Sequence, residues 1–501
     1  MTRIAIPLPH LYPGERHPAS LKFALALVLV ILADWLFYDQ GEGISVALFA
    51  VTLVCGSLLT NFDGLDRTRA VPAAAIFLAG LLPAIEDLNP VSFAILIAAL
   101  CGSVAILTNP NLKRLRDWLV ALRDLLLIGP FRSIADITRL LMQTNFTAAL
   151  VAGFVPLALG SIFVLLFASA NPLIEKWVVM LNPSSVASQL DTARILFWAA
   201  AFLAIWPFIQ LRWRRRVAID LDAMALDTSQ SSASADKAPR ISPAVLSTPT
   251  ILRSLILFNL LFAVQTVLDL IYLWGDGKLP PDITYADYAH RGAYALILTA
   301  LLAAGCVLTA MRPGGPAEAS RIIRPLVYLW VAQTILLVAS SIQRLHLYVE
   351  IYQLTYWRVA AFIWMLLVAI GLMLIVARIV LKRSNDWLIR LNVVGLAGTL
   401  YICALINFAA IIADYNVSHS LPAAGQGEPL DSAYLAGLGP QALPAIDKAR
   451  QLLPNNQCLV RSHDRLVEQQ QQIMASWRSW GFRSFRLQRT LDGQQNQSTG
   501  G

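Results

Sequence analysis

Charged groups are costly inside a hydrocarbon layer, so a carboxylate within an apolar run is the first place to look for chemistry. Asp269 stands in the last third of such a run, Leu252–Trp274. A carboxylate there must be protonated, paired or near water. His290 and Arg291 open the following apolar run, Arg344 closes the next, and Arg358 starts the one after. Tyr348, Tyr352 and Tyr356 lie nearby, while Asp414 and Asn416 end the last run. If successive runs cross a membrane, all these groups reach one face. They are expected to form a single polar cluster whose ion pairs either hold the helices together or line a water-accessible pocket, the structural role being favoured.

Other reactive patterns are scarce. The chain has no Gly-rich phosphate loop, no His-x-x-x-His or paired-cysteine metal spacing and no Gly-x-Ser-x-Gly elbow. No catalytic residue, metal site or cofactor is therefore assigned. His290 beside Arg291 reads as an interface pair before a general base. Of the five cysteines, Cys55, Cys101, Cys306 and Cys403 fall inside apolar runs and Cys458 stands alone, so no disulfide framework follows.

The elements that must position these groups follow from composition. The 501 residues are 57% hydrophobic and only 14% charged, with a mean hydropathy of +0.60. That is more apolar surface than water-soluble cores require, and it belongs in lipid. Apolar runs recur at Leu21–Phe37, Ile44–Leu59, Val71–Ile85, Val91–Thr108, Phe146–Ser169 and Ala193–Leu211. After a polar linker come Leu252–Trp274, Tyr288–Ala310, Pro325–Leu345, Tyr356–Val380 and Trp387–Ile412. The fold class expected is all-α, a polytopic helical bundle of about eleven spans. The third and fourth runs are short enough to form one re-entrant hairpin instead.

The net charge of +8 does not indicate nucleic acid, because the basic residues are spread over short loops between apolar runs. Arg67 and Arg69, the group from Lys113 to Arg139, Arg212 to Arg216, Arg312 to Arg324, and Lys382 to Arg390 occupy alternate connections. Those connections are expected in the cytoplasm. The opposite ones carry Asp39 and Glu42, Glu86 and Asp87, or Asp276, Asp282 and Asp287. An odd number of spans then puts the N-terminus in the cytoplasm and the C-terminal tail outside, although that tail is itself rich in arginine.

Four regions result: a first membrane half over 1–213, a disordered cytoplasmic linker over 214–250, a second half over 251–414, and an extracytoplasmic helical tail over 415–501. Within the first, Leu112, Leu115, Leu119, Leu122 and Leu126 recur at helical spacing opposite Lys113, Arg116 and Arg123. This segment, near 112–129, reads equally as a helix in the headgroup layer or one packed on the bundle. Pro156 between Gly153 and Gly160 predicts a kink in the fifth run. Asn259 and Gln265 are suited to hydrogen bonds between helices. In the tail, Trp477-Arg-Ser-Trp480 and Phe482-Arg-Ser-Phe-Arg486 alternate aromatic and basic residues, fitting an anionic surface or snorkelling at the headgroups.

A family resemblance rests on three blocks. The first is Asp269-Leu-Ile-Tyr-Leu-Trp-Gly275 with Leu279-Pro280, Thr284-Tyr-Ala-Asp-Tyr-Ala-His-Arg-Gly-Ala-Tyr294 and Thr299 to Ala304. The second is Arg344-Leu-His-Leu-Tyr-Val349 with Tyr352, Leu354-Thr355 and Arg358, and the third Asn407 with Ala413-Asp-Tyr-Asn-Val417, Leu430-Asp431, Tyr434-Leu435 and Ala442-Leu443-Pro444. Together with Ala168-Ser-Ala-Asn-Pro172, these resemble a bacterial integral-membrane family known as domain of unknown function 4153/4173. Gln353 stands where that family usually has a glycine, which bears on any tight turn there. The resemblance implies the bacterial cytoplasmic membrane and leaves the molecular function open.

Three functions remain. A carrier or binder of a small or amphiphilic solute draws on the many runs, the proline kink and the polar cluster, against the lack of an internal repeat. A non-catalytic envelope sensor or partner protein draws on the linker and tail. An enzyme acting on a lipid-linked substrate would need interfacial acid–base groups and stands last. The partners expected are the lipid bilayer and an envelope protein.

Overall fold

The computed structural model describes residues 19–61, 67–108, 112, 115–134, 136, 192–211, 248–275, 305, 321–425 and 428–499. Among the described residues every regular element is helical. Eight helices among the described residues are long and apolar enough to cross a membrane. A helix suits this setting because it satisfies its own backbone hydrogen bonds where water is absent. Their apolar surface faces outward: only 11% of the most apolar window of the helix Asn385–Leu405 is buried. Leu257, Leu260, Leu261, Val264 and Leu268 likewise stand exposed along one helix. Apolar area on this scale calls for lipid.

The chain divides into two compact units, Met1–Val217 with Gln472–Thr490, and Ala218–Gln471 with Leu491–Gly501. The tail expected over 415–501 is thus shared between them.

The first unit contains α1 (Ala19–Phe37), α2 (Ile44–Asn61), α3 (Arg67–Glu86), α4 (Pro90–Thr108), α5 (Leu115–Arg123) and α6 (Thr192–Ile209). The third and fourth runs form two separate helices of 20 and 19 residues, each long and apolar enough to cross a membrane. Helices α1 and α6 run antiparallel, since Phe23 meets Trp206 while Asp34 meets Arg194. The ends of α2 and α6 coincide: Thr60 Oγ1 and Asn61 Nδ2 donate to the Ile209 carbonyl at 3.2 and 3.0 Å. The core is built from Ala26, Leu29, Leu53, Leu96, Ile205 and Ile209, among others. Helix α5 continues as a π-helical turn, Asp124–Ile128. Leu122 and Leu125 pack against the core while Leu119, Leu126 and Leu127 remain exposed, so this segment combines features of both expected roles.

The second unit contains α7 (Thr248–Tyr272), α8 (Ile323–Tyr352), α9 (Tyr356–Val380) and α10 (Asn385–Leu405). Helices α7 and α8 are parallel, because their contacts advance together from Asn259 with Leu326, through Phe262 with Trp330, to Asp269 with Arg344. The last apolar run is interrupted: α10 stops at Leu405, Ile406 is extended, and Asn407 caps α11 (Phe408–Ser418) by accepting from Ala410 N–H. Polar Asn407 ends one helix direction and starts another because its side chain replaces a backbone acceptor. Short α12 (Leu421–Ala424) and α13 (Ser432–Gly437) follow, then α14 (Leu443–Leu452) and α15 (Gln457–Ala475). Leu435, Leu443, Ile446 and Leu459 are fully buried, giving this layer its own core. Burial pushes the Asp447 carboxyl up, against the opposing pull of His463 and Arg450.

The last helix is α16 (Phe482–Thr499). Within the first unit, the segment leading into it straps the α1–α2 and α3–α4 turns. The Ile44 N–H donates to the Trp480 carbonyl at 2.8 Å. Arg478 lies 4.6 Å above the Trp35 ring and donates to Gln40 Oε1 at 3.2 Å. Arg483 pairs with Asp87 at 2.9 Å and Glu86 at 3.5 Å, and Arg486 also pairs with Glu86. The aromatic and basic residues of this segment therefore meet the chain's own turns. The kink at Pro156, the eighth run, and most of the 214–250 linker lie outside the described residues.

Candidate functional site

In the second unit the buried faces of α7 and α8 hold the expected charge pair. Asp269 is 2% exposed and Arg344 6%, and the guanidinium bonds directly to Asp269 Oδ1. Gln265, one turn earlier on α7, donates to the same oxygen at 2.9 Å. Its bond thus stays within its own helix. Asn259 does bridge helices, donating to the Leu326 carbonyl at 3.1 Å. Trp274 Nε1 adds a further link, to Ser340 Oγ at 3.2 Å. Two charges removed from water hold each other only when geometry is good, and either alone would be strongly destabilising.

Arg344, Tyr348 and Tyr352 follow one another at single-turn intervals on α8. The two tyrosine rings lie 4.7 Å apart, and the Arg358 guanidinium sits 4.5 Å above Tyr348. Arg358 also donates to the carbonyls of Tyr352 and Gln353. Those carbonyls belong to the helix terminus, whose acceptors lack intrahelical partners and favour a cation. Thr355 caps α9. The turn between them requires a positive φ at Gln353, +67° with ψ 170°, a region that only glycine enters freely. The tight turn therefore exists without glycine, and Gln353 Nε2 donates to the Pro429 carbonyl at 2.9 Å. Asn416 clasps the same turn by accepting from Leu354 N–H at 2.6 Å and donating to Leu354 O at 2.9 Å.

Seven of the nine expected site residues lie among the described residues at this end of the unit. Six contribute to the buried pair or the clasped turn. Asp414 points elsewhere and pairs with Lys448 at 2.5 Å on the exposed surface. His290 and Arg291 lie outside the described residues. The arrangement binds helix to helix and turn to tail.

A second polar locus went unnoticed in the sequence. At the end of the first unit where α2, α4 and α6 finish, a cavity of about 160 Å³ opens between α4, the α5 segment and α6. Asp124, Arg132, Asp136, Trp206 and Gln210 supply most of its polar lining, with Val104, Leu125 and Pro207 among its apolar walls. Arg123 holds Asp124 at 2.8 Å, and Trp206 Nε1 reaches Asp136 Oδ2 at 3.4 Å. A side chain at Gly129 would place its Cβ 2.9 Å from Pro207, so the lack of one permits the close approach of the π-turn segment to α6. A π-helical turn is often found at functional sites, but no apolar period announces one. The Arg132 and Asp136 spacing was the available clue.

At the opposite end of the first unit, Arg194 grips Asp34 through Nε and Nη2 at 2.8 and 2.5 Å, and Trp198 Nε1 donates to Asp34 at 2.8 Å. Asp34 near the end of the first apolar run was the signal for this pair. Among the described residues no group of three His, Cys, Asp or Glu side chains is arranged to hold a metal.

No curated protein and no solved structure matches the chain. A family model does, over residues 23–449, so the match extends well beyond the second-half blocks into the first six apolar runs. With the helices, the α8–α9 turn and most of the matching motifs in one frame, the chain belongs to the family described as domain of unknown function (DUF4153).

Proposed function

We propose that this multi-pass membrane protein resides in the bacterial cytoplasmic membrane and binds and carries a small or amphiphilic solute. The observation carrying this reading is the cavity at the ends of α4 and α6, where charged, amide and indole groups converge within apolar walls. Ligand sites commonly combine a mostly apolar wall with a few converging polar groups. The charged end of the second unit contributes stability, its groups being directed at one another and at the backbone.

The proposed orientation puts the cavity at the cytoplasmic end and the strap outside. It is supported by the arginines that follow α2, α4 and α6 and the carboxylates between α1 and α2 and between α3 and α4. The parallel course of α7 and α8 adds support, because two parallel spans require an odd number of crossings between them. The antiparallel α1 and α6 similarly call for an odd number of crossings between α4 and α6.

Uptake by proteoliposomes containing the purified protein tests the carrier reading. Solute accumulation above empty vesicles for at least one class of a broad panel is expected; equality throughout would reject it. The buried core of the α11–α15 layer favours a second reading, an envelope partner protein, since a mere anchor needs no such core. That reading predicts that an envelope protein co-purifies with the full chain and is lost when residues 428–499 are removed.

A further inference from the structure

We propose that the open face of α16 seats on anionic phospholipid, its arginines binding the lipid phosphate. At the helical repeat of about 100° per residue, Phe482, Phe485, Arg486 and Arg489 fall on one stripe. All four are exposed, whereas Arg483 and Leu487, on another face, are buried. One side of this helix is therefore docked on the first unit and the other is open. The open side carries rings on its first turn and guanidinium groups on the next. Arg486 pairs with Glu86 and lies 5.0 Å above the Phe482 ring, yet it stays exposed. Arg489 is exposed and, among the described residues, meets neither a carboxylate nor another hydrogen-bond acceptor.

Position selects the partner. The strap meets the turns where α1 and α3 end and α2 begins, so α16 starts at the level where spanning helices leave the hydrocarbon. Trp35 near the end of α1, Trp198 near the start of α6 and Trp477 in the strap are exposed at this end, with the Trp35 and Trp477 rings 5.7 Å apart. Tryptophans at span ends mark the headgroup layer, where an amphipathic ring meets both phases. Phe482 and Phe485 extend that belt, and exposed rings at this depth are covered by acyl chain. A guanidinium beside them reaches back to the phosphates, whose oxygens match its planar fork. A zwitterionic headgroup also carries phosphate, but its own ammonium competes for it. An anionic headgroup leaves the phosphate to Arg486 and Arg489. The proposal holds for either sidedness of the strap.

Amide hydrogen exchange through residues 482–490 of the full-length protein, in nanodiscs of phosphatidylglycerol or of phosphatidylcholine, tests this. Exchange is expected to be about fivefold slower in phosphatidylglycerol. Arg489→Gln should remove at least half of that difference while leaving exchange in phosphatidylcholine and the melting temperature as in the wild type. Arg489→Lys should keep most of it, and Arg486→Gln combined with Arg489→Gln should abolish it. Native mass spectrometry from a mixed detergent and lipid solution should show phosphatidylglycerol retained in preference to phosphatidylcholine by the wild type and not by the double variant. Equal exchange in the two lipids, or a difference that the double variant leaves intact, overturns the proposal. Faster exchange of Arg489→Gln by the same factor in both lipids also overturns it, because Arg489 would then hold the strap and not the lipid. Slowing by dextran sulfate in phosphatidylcholine, without any effect of phosphatidylglycerol, would reassign the face to a soluble polyanion.

Discussion

Asp269 and Arg344 are each almost wholly buried, so changing one removes the opposite charge to which the other is directly bonded. Asp269→Asn or Arg344→Gln should each destabilise the protein by about 3–5 kcal/mol. The double variant should lose clearly less than the sum of the two. Melting temperatures in detergent measure this, and single variants as stable as the wild type would dismiss the structural role. Gln353 presents a different balance. Its backbone conformation costs about 1–3 kcal/mol for a residue other than glycine, and its amide recovers a hydrogen bond to Pro429. Gln353→Gly removes both strain and bond, whereas Gln353→Ala keeps the strain and loses the bond. The alanine variant should therefore melt below the glycine variant, an ordering that reverses if the turn does not need a positive φ.

At the scale of elements, the strap leading into α16 is fixed by charge and by close backbone approach. An added Cβ at Gly43 would fall 2.4 Å from the Ser479 carbonyl carbon, so the α1–α2 turn must move to accept any side chain there. Arg483 is 7% exposed and shares its charge between Glu86 and Asp87. Arg483→Glu should raise amide hydrogen exchange through residues 476–490, and adding Glu86→Arg and Asp87→Arg should restore much of the protection. Equal protection in the single variant and wild type would show that the ion pairs do not hold the strap. The clasp between Asn416 and Leu354 works similarly in the second unit, tying α11 to the α8–α9 turn with paired hydrogen bonds. Its donor and acceptor match the backbone C=O and N–H of a single residue, Leu354, which explains why a buried polar residue occurs in the otherwise apolar face of α11.

For the whole molecule, the proposed orientation places the α11–α15 layer outside the cytoplasmic membrane. Cys458 is exposed on α15 and offers a direct test. In a variant keeping Cys458 as its sole cysteine, a membrane-impermeant thiol reagent should label spheroplasts without permeabilisation. Labelling only after permeabilisation would reverse the assigned sidedness. The amino-acid order by itself determined the membrane class and the placement of many helices. These follow from a local quantity, the length of an apolar run. Tertiary structure decided which charge each group meets. Arg344 takes Asp269, Arg358 takes helix-end carbonyls and the Tyr348 face, Asp414 takes Lys448, and Glu86 takes arginines from the distant strap. Partner choice depends on how each helix is rotated about its axis and which distant segment packs beside it. Hydrophobic periodicity carries neither quantity, which is also why a cavity assembled from α4, the π-turn and α6 left no continuous motif in the chain.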